Sequence, residues 1–478
     1  MEQLDEYGDL IAADDVLLFV NAAITATGQR EFHSGAAEQR LSLDFLHEYL
    51  RVNYRELYAA TLALGINDHN AALIVRELLV HAGEATAEER RTEGRLIARR
   101  LRLLPPQRVY RLFGQLRRAK VNNRRTRAIM RDWLAARPDP AFDAVKYRSG
   151  LKAAMRHGRF APPGDELGDF LFAPRRRGHY RAPLLDAWRR AHYEQSALYE
   201  LPFTVAEGFA VKHGIPRGAF LERIRPRLTE LEQLRLAASA QRHGVALVRG
   251  DQRRLTLTRR VTAVLATPVA ERREQRAALT EELTAAAARA AGAQRGSWGR
   301  VAAVLDDSFS SFTSPTKRQR SLATALACHF LLAELAGSYT ACWTSGRTDA
   351  LLARPTGPTP LGHRILDALE GEPDRLVIVS DGWDNAPPGL AGEVLRVYRT
   401  RLDPEHRTSI VHLNPVYDAA DFDVRRLAPG VPTAGLRDAE DLPALVELAQ
   451  FAEGRTGVAE LRAHLAERVA AFLSEEHP

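Results

Sequence analysis

The sequence predicts an α plus α/β protein: an α-helical N-terminal part over residues 1–290, then a doubly wound α/β domain over residues 297–478. Three observations predict it. Short segments with a 3.6-residue apolar period follow one another through the N-terminal part. After Ser297, short apolar runs alternate with helical segments. The length, 478 residues, is too great for one ordinary core.

Over residues 43–64 apolar side chains recur at Phe45, Leu46, Leu50, Tyr54, Leu57, Leu62 and Leu64, roughly one helical face. Residues 71–81 repeat the pattern with Leu73, Ile74, Leu78 and Leu79. Residues 95–103, 109–116 and 126–134 read as further helices, punctuated by Pro105-Pro106 and by Val121-Asn122-Asn123. Residues 182–199, 203–213 and 227–240 continue the series. No convincing sequence repeat is present, yet successive short amphipathic helices suggest a HEAT-like or other α-solenoid array. A hairpin is expected around Arg249-Gly250-Asp251, with arms at 245–248 and 255–258. The Ala/Glu/Arg-rich stretch 270–291 is expected to be a helix bridging to the second domain.

Charge separates the two parts. The net charge is +7, but residues 296–478 hold 18 Lys/Arg against 25 Asp/Glu, so the acidic C-terminal part offsets a strongly basic N-terminal one. Residues 90–159 alone hold 21 basic side chains against Glu93, Asp132, Asp139 and Asp143. Like charges at i, i+3 and i+4 repel, and Arg117, Arg118, Lys120, Arg124, Arg125, Arg127 and Arg131 have almost no acid nearby in sequence. A polyanion would relieve them by neutralisation and counterion release, so these seven are the candidate RNA-binding residues; a solvated face or a charged protein interface is the alternative. Tyr110, Phe113, Trp133 and Tyr147 lie among them, either as base-stacking rings or as core. Arg175-Arg176-Arg177, beside His179 and Tyr180, is a weaker anion candidate.

In the C-terminal part the run Val301 to Leu305 reads as a buried strand leading into Asp306-Asp307-Ser308-Phe309-Ser310-Ser311. A helix is expected over 314–335, then strands over 339–344 and 376–380, with Asp381-Gly382 at the carboxyl end of the second. A helix over 390–402, a strand over 409–413 and helices over 442–451 and 458–473 complete the alternation. An oxygen-rich loop between a strand and a helix is where a doubly wound sheet presents ligands. Cys328 and Cys342 fall in a helix and the following strand, without CxxC or zinc spacing, and read as free thiols.

Here the residues carry a resemblance. Asp306-x-Ser308-x-Ser310 resembles the D-x-S-x-S motif of the von Willebrand A (vWA) family. Thr359, in Thr356-Gly-Pro-Thr-Pro-Leu361, is similar to its second-loop threonine, and Asp381 to its third-loop aspartate. The resemblance covers about the last 180 residues and implies a metal-ion-dependent adhesion site (MIDAS) that binds Mg2+ or Mn2+ through Asp306, Ser308, Ser310, Thr359 and Asp381. The donor types suit a hard cation that takes six oxygens and keeps waters. Few anionic ligands leave the cation hungry for an external carboxylate or phosphate, which makes a docking site. Asp307 and Asp384 are expected to support it by hydrogen bonds. The alternative is a degenerate loop in which the same residues only cap backbone groups.

No phosphate-binding loop, HExxH or GxSxG pattern occurs, and the fifteen histidines are scattered, so no enzyme activity is expected. No stretch approaches 18 consecutive apolar residues and the first ten residues are acidic, so neither a membrane span nor a secretion signal is expected. A cytoplasmic protein is the simplest reading. A basic helical part before a vWA-like domain resembles the Ro autoantigen family, whose N-terminal module is called TROVE, although Val145 to Arg148 and Leu151 match it only loosely. That resemblance implies a ribonucleoprotein scaffold for small structured or misfolded non-coding RNA. The alternative is a vWA adaptor that grips an acidic protein partner, such as a MoxR-type ATPase, without RNA.

Overall fold

A computed structural model of the chain describes residues 2–174, 176–245, 255–314, 319–451 and 458–474. Its helices in chain order are α1 (Glu2–Thr25), α2 (Ala36–Asn53), α3 (Arg55–Ala60), α4 (Asp68–Val80), α5 (Ala87–Leu103), α6 (Pro106–Arg118), α7 (Arg124–Ala135) and α8 (Pro140–Lys146). There follow α9 (Arg148–Gly158), α10 (Asp165–Phe172), α11 (Pro183–Arg190), α12 (Phe203–Lys212), α13 (Arg217–Ile224), α14 (Glu230–Arg242), α15 (Leu257–Leu265), α16 (Val269–Glu274) and α17 (Arg276–Ala291). Between β1 (Arg300–Leu305) and β7 (Thr433–Gly435) lie α18 (Arg320–Leu335), β2 (Ser338–Trp343), α19 (Leu361–Leu369), β3 (Arg375–Val379), α20 (Leu390–Val397), β4 (Ser409–Asn414), β5 (Tyr417–Asp418) and β6 (Asp423–Val424). Helices α21 (Leu442–Phe451) and α22 (Val458–Ser474) end the chain's described part.

Two compact units result: Met1–Ile74 with Leu255–Pro478, and Val75–Arg254. The boundary expected between 290 and 297 therefore falls inside the first unit. The physical reason is polar and long-range. Asn21 of α1 donates from Nδ2 to Asp423 (3.0 Å), and its Oδ1 accepts the Gly435 N–H of β7 (2.8 Å). Gln39 of α2 donates to the Tyr417 carbonyl (3.3 Å), and Ser42 bonds the Tyr417 hydroxyl. The last carbonyls of α1 are taken by the Asn67 and Asn70 amides, so the helix end is satisfied. α1 thereby covers the sheet's β7 edge. A Cβ on Gly435 would stand 2.9 Å from the Asn21 carbonyl oxygen, which explains a glycine there.

The sheet is five-stranded and parallel, in the order β2-β1-β3-β4-β7. Ala302, Val304, Leu376, Ile378 and Ile410 pack on one face against Leu361 and Ile365 of α19 and Ala391 and Leu395 of α20. α18 covers the other face, and α15 and α17 pack on α18 in turn. A helix enclosed in this way has to be apolar nearly all round, and α18 is. It begins at Arg320, later than the expected 314; residues 315–318 lie outside the described ones. The expected strands and the helices at 390, 442 and 458 are present. The β5–β6 hairpin and β7 are too short for an apolar pattern to announce.

In the unit Val75–Arg254, Thr86 and Glu89 form a reciprocal capping box at α5, and Asn123 caps α7 through the Thr126 N–H (2.9 Å). Trp133 meets Tyr110 and Phe113 edge to face at 5.2 and 5.5 Å, and all three rings are buried. These rings are core and are not available to stack on bases; Tyr147, half-buried, tilts against Tyr110. The helix expected over 182–199 stops at Arg190, and a single 3-10 turn, Ser196–Glu200, follows. Of the expected hairpin, residues 246–254 lie outside the described ones, while Leu257 and Thr258 open α15, so the second arm is helical there. Cys328 is buried and Cys342 half-buried, and both are free thiols. Among the described residues no helix is long and apolar enough to cross a membrane.

Candidate functional site

The strand order reverses direction at β1, with β2 on one side and β3 on the other. The crevice beyond the carboxyl ends of β1 and β3 is therefore a topological switch point. Asp306 follows β1 and Asp381 follows β3 by two residues, so both carboxylates reach that crevice from strand ends. Asp306 Oδ1 accepts the Ser308 N–H (2.9 Å) and the Thr344 hydroxyl (3.2 Å), and Oδ2 accepts the Ser380 hydroxyl (3.1 Å). The Ser308 and Ser310 hydroxyl oxygens are 3.2 Å apart. Asp381 Oδ1 accepts the Trp383 N–H (3.0 Å), and Asn414 Nδ2 holds the Asp381 carbonyl (3.0 Å). Gly382, at φ +79°, makes the turn that lets Asp381 face inward.

Backbone bonds tie the three loops together. Thr356 N–H donates to the Asp307 carbonyl (2.9 Å) and Phe309 N–H to the Gly357 carbonyl (3.0 Å). Thr359 N–H donates to Asn385 Oδ1 (2.7 Å), and the Asn385 N–H returns to the Thr359 carbonyl (3.2 Å). Thus the loops carrying Asp306, Ser308 and Ser310, then Thr359, then Asp381 form one cross-linked end of the sheet. Asp307, fully buried, accepts from Thr344, Ser345 and Arg347 (2.8–3.1 Å), and Asp384 accepts the Ala391 N–H at the start of α20 (2.6 Å). Both support the loops by hydrogen bonds.

Electrostatics distinguish Asp306. Burial, and then the negative charge of Asp381, push its carboxyl up to about 7. Among the described residues neither carboxylate is ion-paired with a Lys or Arg. Two buried acids with the Ser308 and Ser310 hydroxyls at hand, and Thr359 on a loop bonded to theirs, would suit a hard divalent cation, which would relieve the acids' repulsion. No cluster of three or more His, Cys, Asp or Glu suited to a metal occurs among the described residues, so hydroxyls would complete the donor set.

The supporting residues were not foreseen from sequence. Thr344, Ser380 and Asn414 could have been found as polar residues closing strands; Asn385 and His33 carry no such signal. His33 belongs to the loop between α1 and α2, yet its Nε2 lies 3.7 Å from Asp381 Oδ2 and its ring stacks on Trp383 at 4.6 Å. His412, under the site, donates from Nε2 to the Ser380 carbonyl (3.1 Å), and burial lowers it to about 4, so it is neutral. His329 bonds the Tyr339 hydroxyl (3.1 Å) and is likewise lowered to about 4 by burial.

The basic residues sort into two groups. Arg117 and Arg118 end α6, Lys120 lies in the turn after it and Arg124 begins α7, all exposed, and none of them nor the half-buried Arg127 has an ion pair among the described residues. Arg131 is exposed beside Asp132 (3.1 Å). Arg125 stands apart: it is three-quarters covered or more and bonds Glu93 and the Arg90 carbonyl, both at 3.1 Å. Asn122 and Val121 bond the His157 carbonyl and ring (2.8 Å each), which sets the α6–α7 turn beside the exposed Arg156 and Arg159 at the end of α9. Arg176 and Arg177 both reach Asp169 (3.3 and 2.6 Å); Arg175 lies outside the described residues.

No protein-family model matches the chain, and no curated protein matches it.

Proposed function

We propose that this protein is a non-enzymatic scaffold of the Ro type. Its sheet unit would dock partners through a divalent cation, and its helical unit would hold small structured or misfolded RNA by phosphate contacts. The observation carrying the first half is the convergence of Asp306, Ser308, Ser310, Thr359 and Asp381 on cross-linked loops at the switch point. In this reading the sheet unit is a vWA domain and these five residues are its MIDAS. The cation is Mg2+ or Mn2+, and an acidic group of the partner supplies the missing ligand. His412, spent on the Ser380 carbonyl, is not free to serve as a general base.

The second half is supported by the exposed Arg117, Arg118, Lys120 and Arg124 and the half-buried Arg127, clustered at one inter-helix turn and along α7 without ion pairs among the described residues. Helix C-termini favour cations on their own account, so Arg117 and Arg118 are at ease there with or without a ligand; Lys120, Arg124 and Arg127 lack that explanation. In this reading α5 to α14 are the HEAT-like, TROVE-like module, and the protein works in the cytoplasm. An adaptor reading without RNA draws on Arg125, whose charge is used internally. A salt titration of RNA retention by the full-length protein separates the two. Phosphate binding predicts a log–log slope of roughly −0.7 to −0.9 per phosphate neutralised, whereas the adaptor reading predicts no retention at physiological salt.

A further inference from the structure

The loop between α1 and α2, residues 26–35, is far in sequence from every residue of the D-x-S-x-S site but reaches its rim. His33 Nε2 is 3.7 Å from Asp381 Oδ2, with the His33 side chain a quarter exposed. The same ring stacks on Trp383 at 4.6 Å and 25°, and Arg425 covers Trp383 at 3.9 Å. His33 meets Phe32 at 4.8 Å, and Phe32 meets Phe309 edge-on at 6.1 Å. Phe309 stands in sequence between the two serines whose hydroxyls are 3.2 Å apart, and it is 62% exposed; Phe32 is 40% exposed.

Two facts need an explanation. A histidine is held against the carboxylate of one loop by stacking on that loop's own Trp383. Two large rings stand in water next to a polar crevice, where exposed aromatic surface is unfavourable unless a partner covers it. An internal structural role does not account for the rings, since both are more than a third exposed and Phe309 meets only Phe32 by ring contact among the described residues.

Resting on the metal reading above, we propose that this N-terminal loop is the specificity element of the docking site. His33 is a positioning residue that orients Asp381 toward the cation. Phe32 and Phe309 form an apolar shelf beside the cation's open position. The ligand class is then a protein segment carrying an Asp or Glu directly beside a bulky apolar side chain: the carboxylate completes the cation and the neighbour covers the shelf. Charge complementarity selects the first feature and the exposed rings select the second.

The test uses the full-length protein with Mn2+ alone, and then with N-acetyl-phenylalanyl-aspartate against N-acetyl-glycyl-aspartate in saturating Mn2+, by titration calorimetry. His33→Ala should weaken Mn2+ about tenfold, at the lower end for outer residues that orient metal ligands, and His33→Gln, which keeps a donor, should restore most of it. Phe32→Ala and Phe309→Ala should leave Mn2+ affinity unchanged and erase an approximately tenfold preference for the phenylalanyl peptide. If Mn2+ binds the wild type and is lost in Asp306→Ala, but His33→Ala binds as wild type or both peptides bind equally, this proposal is overturned while the metal site stands. No Mn2+ binding by the wild type overturns both.

Discussion

The two units put their charge in opposite places. In the sheet unit the informative ionisable groups are inside: Asp306, Asp307, Asp381 and His412 are all less than 5% exposed, and each has named hydrogen-bond partners. In the helical unit Arg117, Arg118, Lys120 and Arg124 are outside, with no ion pair among the described residues. Buried charge is expensive and so has few possible arrangements; exposed charge costs little and tolerates many. Chemistry is accordingly readable residue by residue in the first unit, and only as a field in the second.

The largest effect expected from breaking this contrast comes from Asp306→Ala, which should reduce Mn2+ affinity at least ~100-fold, the upper end for perturbing a metal site's shell. It should also raise the melting temperature of the metal-free protein at pH 8. The sign follows from the carboxyl, raised to about 7 in the fold against roughly 3.9 in an unfolded chain. The folded state binds the extra proton between those values, so this group's contribution to stability declines as pH rises through that window and is unfavourable above it. Calorimetric titration and thermal melts with and without Mn2+ check both halves; undiminished Mn2+ binding by the mutant would remove the metal reading. RNA retention should not change.

The converse experiment reverses charge at Arg117, Arg118, Arg124 and Arg127 together. RNA affinity near physiological salt should fall on the order of a hundredfold, and the log–log salt slope should flatten by roughly 0.7 to 0.9 for each phosphate no longer neutralised. The fall should be similar for unrelated RNA sequences, because phosphate contacts carry no base information. Mn2+ binding should be untouched. Equal, weak retention by mutant and wild type would count against RNA as the ligand.

The same contrast explains what was legible beforehand. Apolar strands with an acid at the carboxyl end announce themselves, so β1 with Asp306 and β3 with Asp381 were readable to within a residue or two. α1 was not assigned to the sheet unit, because its attachment runs through Asn21 to Asp423 and Gly435, single polar bonds some 400 positions away with no periodic signature. In the helical unit α5, α6, α7, α12 and α14 were readable from their period, the short α8, α9, α10 and α13 were not, and neither was the fate of each arginine. Arg125 and Arg124 are adjacent in sequence; only the packing of α5 against α7 decides that one meets Glu93 and the other water.

A smaller effect sharpens the buried side of the comparison. His412 sits at about 4 in the fold because burial disfavours its charge, against roughly 6.5 unfolded. Below pH 6.5 the unfolded chain takes up a proton that the folded one refuses, so stability is lost as pH falls from about 6.5 to 4 and levels off below that. The full loss is about 3 kcal/mol at roughly 1.4 kcal/mol per pH unit. This slope is opposite to that of Asp306 over much of the same range. His412→Gln keeps a donor for the Ser380 carbonyl and removes the titration, so its stability to urea should gain on the wild type's as pH falls from 6.5 to 4, leaving the opposite slope of Asp306 unmasked. An unchanged profile would mean that His412 titrates normally.

The smallest expected effect is the most discriminating, because it falls inside the basic stretch itself. Arg125→Ala removes one positive charge from the same run as Arg124 and Arg127, and on composition alone it should weaken RNA as they do. Its guanidinium, however, bonds Glu93 and the Arg90 carbonyl at 3.1 Å, and Glu93 is 2% exposed. Losing it leaves a buried carboxylate without this cation, which costs about 1–3 kcal/mol. The mutant should therefore unfold at lower urea while its RNA salt slope matches the wild type's, whereas Arg124→Ala should leave the urea midpoint in place and flatten the slope slightly. Paired urea melts and salt titrations on the two single mutants read this directly. If Arg125→Ala flattens the slope as much as Arg124→Ala does, its charge faces the ligand after all, and the division between internal and external arginines has to be redrawn.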